Sequence, residues 1–235
     1  MKALFCKFLL IFIVGATAFA ANAQQTVFNV PTTDVLDRGK VYVELDASFK
    51  INDDDALNKF SSFVPRVVVG AGGNVEVGLN LTGNIQPGAD ATTLVPTVKW
   101  RFYQNEKKKF ALIAGNNFYI PVRNRAYNFG TYTYLAGSKT INKTRLTAGG
   151  YIASNNVFAP NAARGGGQFA IEQTINDKVT LAADWITGRH ASGYFTPGLI
   201  YKPHPKVTAY LSYSIGNADA ANGNHFFLFE LGYNF

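Results

Sequence analysis

From residue 40 to its end the chain alternates apolar and polar side chains in runs of about ten residues, the strand length of a transmembrane barrel. Each run stops at a cluster of Gly, Asn, Asp, Pro or Lys. Period two belongs to a strand, whose successive side chains leave on opposite faces. Twelve segments are predicted, over 40–50, 61–71, 74–83, 92–103, 108–119, 127–138, 143–153, 165–175, 177–187, 191–203, 205–215 and 224–235. Beyond the N-terminal leader no stretch of 18 apolar residues occurs, so no helix is available to cross a bilayer. A closed β-barrel is the other structure that satisfies every backbone hydrogen bond in lipid. The expected fold class is therefore all-β, a closed antiparallel transmembrane barrel of about 12 strands over residues 40–235. An even number of strands returns both chain ends to one side.

The leader itself reads as a signal peptide over residues 1–23. Lys2 and Lys7 precede an apolar run from Phe8 to Val14, and Ala21-Asn22-Ala23 supplies the A-x-A exit before Gln24. That run is too short for a retained span. Cys6 and Met1, the sole residues of their kinds, would leave with it. A mature chain without cysteine excludes disulfides, thiol chemistry and Cys-based metal sites. The formal charge of +7 is spread over short turns with no long basic run, which suits contact with lipid head groups and argues against nucleic acid.

Connections fall into two interleaved sets. The tight ones are Gly72-Gly73, 104–109, 138–143, Asn176-Asp177 and 202–206; the longer ones are 51–60, 84–91, 121–127, 154–166 and 217–225, with 188–192 the short exception. Short periplasmic turns and longer outer loops are the asymmetry of an outer-membrane barrel. GAGGNVEVG at 70–78 imitates a nucleotide loop, but a period-two strand follows it, so it reads as a hairpin turn.

One face of the segments is apolar. Val41, Val43, Leu45, Ala47 and Phe49 share a side, as do Val75, Val77, Leu79 and Leu81, and aromatics such as Trp100, Phe102 and Phe110 flank a tight turn. The last segment, HFFLFELGYNF, sets Phe227, Phe229, Leu231, Tyr233 and the terminal Phe235 on that side. This ending resembles the C-terminal assembly signal of bacterial outer-membrane β-barrel proteins, a porin-like class. The resemblance implies a bacterial outer membrane, with Tyr233 and Phe235 read by the barrel-assembly machinery and lipid as the surrounding partner. A secreted soluble β-protein also alternates, and is the competing reading.

The other face would line a lumen. It carries Glu44, Asp46, Arg66, Glu76, Lys99, Arg101, Arg145, Glu172, Asp184 and Glu230, the expected pore-lining residues. Counting depth from the tight turns pairs Glu76 with Arg101, Arg145 with Glu172, and Glu44 and Glu230 with Arg66. Gly78, Gly115, Gly149, Gly232, Ser212 and Ser214 leave room in the lumen, and Tyr42, Tyr103, Tyr151 and Tyr210 fill it. Twelve strands lie between the filled eight-stranded barrel and the aqueous sixteen-stranded one. The expected function is a narrow passive pore for small polar solutes, the alternative a structural or adhesive barrel acting through its outer loops.

Residues 24–39 precede the first strand and are expected to form a loosely ordered periplasmic segment. The other possibility is a segment folded into the periplasmic mouth, with Asp34, Asp37 and Arg38 meeting lumenal charges. Catalysis is not expected. A rim enzyme acting on lipid would have only Ser192, His190 and Asp184 to assemble, and rim histidines are commonly solvated. No cofactor and no metal are expected, since His190 and His225 lack a third ligand at recognisable spacing.

Overall fold

The computed structural model describes residues 25–49, 60–83, 92–123, 125, 128–217 and 225–235. The signal peptide, its cleavage site before Gln24, and most of the connections at 51–60, 84–91 and 217–225 lie outside the described residues. Twelve strands follow one another: β1 (Val41–Phe49), β2 (Phe60–Gly72), β3 (Val75–Gly83), β4 (Thr92–Asn105), β5 (Phe110–Arg123), β6 (Gly130–Ile141), β7 (Thr144–Ala153), β8 (Gly165–Thr174), β9 (Val179–Ile186), β10 (Tyr194–His204), β11 (Val207–Gly216) and β12 (His225–Asn234). Each pairs with its sequence neighbour, and β1 closes the barrel against β12. The seam is antiparallel and regular, from Tyr42 opposite Asn234 to Phe49 opposite Phe227.

Turn chemistry sets where the strands stop. Gly73 and Asn74 hold φ of 62° and 59°, so the first tight turn sits one residue later than the sequence reading placed it. Two successive positive φ values match the twist of the strands they join. Asn142, at φ 54°, performs the same task after β6, which continues to Ile141 and leaves a turn far shorter than 138–143. Likewise β5 runs on to Arg123, through part of the expected loop.

The two faces differ in the sense the alternation requires. Leu79, Leu135 and Leu211 point outward at 41%, 55% and 54% exposure, while Glu44, Glu76 and Glu230 point inward at 2%, 2% and 1%. A soluble barrel would reverse those numbers. Outward aromatics collect at both ends of the apolar band. Trp100, Phe102, Tyr201, Tyr233 and Phe235 ring the tight-turn end, and Phe129, Trp185, Phe195 and Phe227 ring the loop end. Such girdles are where amphipathic rings meet a membrane interface.

Inside, glycines and tyrosines interlock. Gly115 lies directly opposite Tyr134, and a Cβ built on it would fall 2.2 Å from that ring; one on Gly232 would fall 2.0 Å from the Tyr42 hydroxyl. Three of the four expected lumenal tyrosines, Tyr42, Tyr151 and Tyr210, are buried as read. Tyr103 is not. The register of β4 slips between Arg101 and Tyr103, and the extra residue reverses the parity, so Tyr103 points outward against Phe110 at 6.0 Å.

Candidate functional site

The N-terminal segment occupies the lumen. Asp37 and Arg38 form an exposed turn at the foot of β1, where the Gly39 N–H donates to the Gly70 carbonyl. Residues 25–36 then fold up inside the barrel. Val27 donates to the Val30 carbonyl at 2.9 Å and Thr26 bridges Pro31, making a small hairpin whose Val27 and Val30 are 0% exposed. At its tip the N–H groups of Phe28, Asn29 and Val30 converge on Asp184 Oδ2 at 3.0, 2.5 and 2.7 Å. Successive N–H groups in a turn form a concavity for an anion, here supplied by the barrel wall.

Further anchors cross the lumen from other strands. Glu76 on β3 accepts from Leu36 N–H at 2.9 Å and from Gln25 Nε2 at 3.2 Å. Arg145 on β7 meets Asp34 at 2.7 Å, and Thr33 donates to Ser138 on β6 at 3.0 Å. Phe28 packs edge-on against Tyr210 on β11. The wall makes room: a Cβ on Gly70 would fall 2.0 Å from the Asp37 carbonyl, and one on Gly198 would fall 2.7 Å from the Phe28 ring. Residues 25–36 are therefore a docked plug and not a loose tail. Of the three charges expected to meet the lumen, Asp34 does so, whereas Asp37 and Arg38 stay outside it.

All ten expected pore-lining residues face inward. Arg145 and Glu172 pair as read, with guanidinium contacts of 2.5 and 2.7 Å. Arg66 reaches Glu44 at 2.5 Å and Asp46 at 3.1 Å. Glu76, in contrast, pairs with Lys99 at 2.9 Å, its direct register partner, and Arg101 turns to Asn74 Oδ1 at 3.0 Å. Asp184 serves the plug. Lys202 is not among the expected lining residues, since it falls where the predicted strand 191–203 overlaps the turn 202–206; β10 continues to His204 and brings Lys202 near Asp34, Arg145 and Glu172.

Two cavities flank the plug. One of about 270 Å³ opens toward the loop end, with Phe28 and Asn29 on its floor and Asp46, Arg66 and Glu230 on its wall. The other, about 170 Å³, lies at the tight-turn end between Asp34, Arg101, Lys109 and Arg145.

The rim holds an aromatic cluster instead of a triad. Phe158, from the connection after β7, stacks on His190 with ring centres 4.0 Å apart, and Tyr132 stacks on Tyr151 at 5.0 Å. Tyr151 shares a 2.6 Å hydrogen bond with His190 Nε2, while His190 Nδ1 accepts from the Ser192 backbone N–H at 3.2 Å. That ring nitrogen is thus engaged by the main chain, and Asp184 is engaged by the N–H groups of Phe28, Asn29 and Val30. Burial pulls His190 below its ordinary pKa of 6.5, against an opposing contact with the Thr187 carbonyl. The unfolded chain then binds more protons, so stability falls as pH drops through about 6.5. The gel-shift unfolding midpoint in detergent should decrease between about pH 7.5 and 5.5, and His190→Phe should flatten that dependence.

No family model matches the sequence, and no characterised protein sequence matches it. Solved structures do. The KdgM porin in complex with disordered oligogalacturonate superposes with TM-score 0.55 at 9% identity, over 83% of this chain and 98% of the porin. An outer-membrane channel from Pseudomonas putida F1 gives TM-score 0.50 at 13% identity, over 86% and 97%. The outer-membrane phospholipase A of Escherichia coli gives 0.48 at 11%, over 86% and 94%. The fold is that of the bacterial outer-membrane β-barrels.

Proposed function

We propose that this outer-membrane barrel is a channel for small polar solutes, held closed by residues 25–36 until they undock. The observation that carries this is the identity of the filler. A barrel built to be solid is packed by the side chains of its own strands, whereas here a segment outside the twelve strands occupies the lumen. It is attached to the wall largely through polar groups, Asp184, Glu76, Arg145 and Ser138. Withdrawing it would join the two cavities along a wall of paired charges. The likeness to a porin and to a channel supports a conducting role for the fold, and at 9% and 13% identity it carries no information about the solute.

Single-channel recording of the refolded chain in a planar bilayer tests this. Discrete brief openings from a closed baseline are expected, with ion preference altered when Glu44 and Glu230 are both neutralised. Silence from correctly folded protein, with the plug present and with it deleted, would overturn the channel and leave a barrel that acts through its outer loops.

A further inference from the structure

We infer that Glu44, Asp46 and Glu230 bind one hard divalent cation of the calcium class at the seam where β1 meets β12. Closing the barrel sets Asp46 directly opposite Glu230, with Glu44 two residues along the same inward face. Like charges facing each other across a strand pair destabilise it unless something neutralises them. Arg66 neutralises part of the cluster, through Glu44 and one oxygen of Asp46. Each Glu44 oxygen has one partner, Arg66 on one and the Tyr42 hydroxyl on the other, which leaves each a second lone pair for a cation. Asp46 Oδ1 and Glu230 Oε2 have no hydrogen-bond partner among the described residues, although Glu230 is only 1% exposed. Leaving a buried carboxylate oxygen without a partner is costly.

The donor set selects the ion. One oxygen from each of the three carboxylates lies within 4.8 Å of the others, a spacing spanned by a cation at roughly 2.3–2.6 Å from each, the calcium range. No nitrogen or sulfur ligand is present in that group, which disfavours zinc and copper. Asn80 stands opposite Arg66, and its Oδ1 is also without a partner among the described residues, so a neutral oxygen faces the same cavity as the acids. Asp46, Asn80 and Glu230 all line the larger cavity, which gives the ion and its remaining waters a way in from the loop end. With Arg66 counted, three carboxylates leave a formal excess of two negative charges for a divalent ion to balance. The chief competing arrangement is a proton shared between Asp46 and Glu230, which would bind no metal. The site stands whether or not the barrel conducts.

Calorimetric titration of the chelator-treated, refolded chain with calcium chloride decides between them. One saturable site is expected, weakened at least ~10-fold in Glu230→Gln and in Asp46→Asn, the scale seen even for residues that merely support a ligand. Glu106→Gln, on an exposed turn, should bind as the parent does. Heat-modifiable migration of each variant verifies folding. A second readout needs no variant: terbium should luminesce by transfer from Tyr42 and Tyr210, which adjoin Glu44 and Glu230, and calcium should extinguish that emission by competition. Absence of saturable calcium binding to the parent, or undiminished binding by Glu230→Gln, would overturn the site even in a protein that conducts.

Discussion

Asp184→Asn is expected to raise the open probability of the barrel in planar bilayers at least about tenfold. The carboxylate holds the plug by three backbone N–H groups converging on one oxygen, and each hydrogen bond to a charged acceptor contributes about 1.5–3 kcal/mol. An asparagine can turn only a neutral carbonyl toward them, or present N–H to N–H. Losing the equivalent of one such bond, about 1.4 kcal/mol or more, shifts the docked equilibrium tenfold. Deleting residues 25–36 should go further and give a steady open level. Unchanged closure after deletion would mean that something other than this segment blocks the lumen. The Asp34 anchor is insensitive to mild acid. Burial pushes the Asp34 carboxyl up, but Arg145, Lys99 and Lys202 together hold the group below its ordinary 3.8. Being depressed, Asp34 contributes stability that is present above the unfolded value and lost only as pH falls through the still lower folded one, so its contact with Arg145 persists through mildly acid conditions.

The strands were legible because period two is written locally: a residue's face follows from its neighbour's. Leu79 out and Glu76 in required no knowledge of the rest of the chain. What failed was information of longer range. The bulge that expels Tyr103 depends on how β4 accommodates β5, and alternation alone gives no warning of it. Lys202 looked like part of a basic, proline-containing turn, yet the ladder carried it inside. The plug was hardest. Its polar, proline-containing sequence has no period, and it acquires a structure only from wall groups far away in the chain, Asp184 above all. Gly70 and Gly198 were a usable hint, because strand glycines often mark the close approach of another backbone or ring. The acid cluster was legible in part, because counting depth across the closure already sets Glu44 and Glu230 beside Arg66. Glu44 and Glu230 stand at opposite ends of the sequence and meet solely through closure of the barrel. What sequence spacing does not show is that they converge with Asp46 as a candidate ligand set.

Closure also makes the two faces of a single strand separable by experiment, and β3 is the place to do it. Leu79 points outward at 41% exposure among the apolar band, and Asn80, its neighbour, faces Arg66 across the lumen wall. Leu79→Arg sets a guanidinium against hydrocarbon, which costs about 2–4 kcal/mol near the bilayer midplane. Asn80→Arg adds the same charge to the inner face, opposite Arg66 and in the cavity that Asp46 and Glu230 also line. The new guanidinium would face Arg66, but the acids that hold Arg66 and the adjoining cavity space offset that repulsion, so the change should cost far less than Leu79→Arg. Reversible unfolding from lipid vesicles measures both. A loss confined to Leu79→Arg establishes that lipid wets the outer face. Equal losses would mean that the outward leucine is not in hydrocarbon, and a larger loss at Asn80 would mean that the barrel tolerates no further charge in its lumen. The same pair also bears on the cation site, since a guanidinium at Asn80 would supply the charge that calcium otherwise provides. Asn80→Arg should therefore fold as well as the parent and bind calcium more weakly, a combination that simple damage to the strand would not produce.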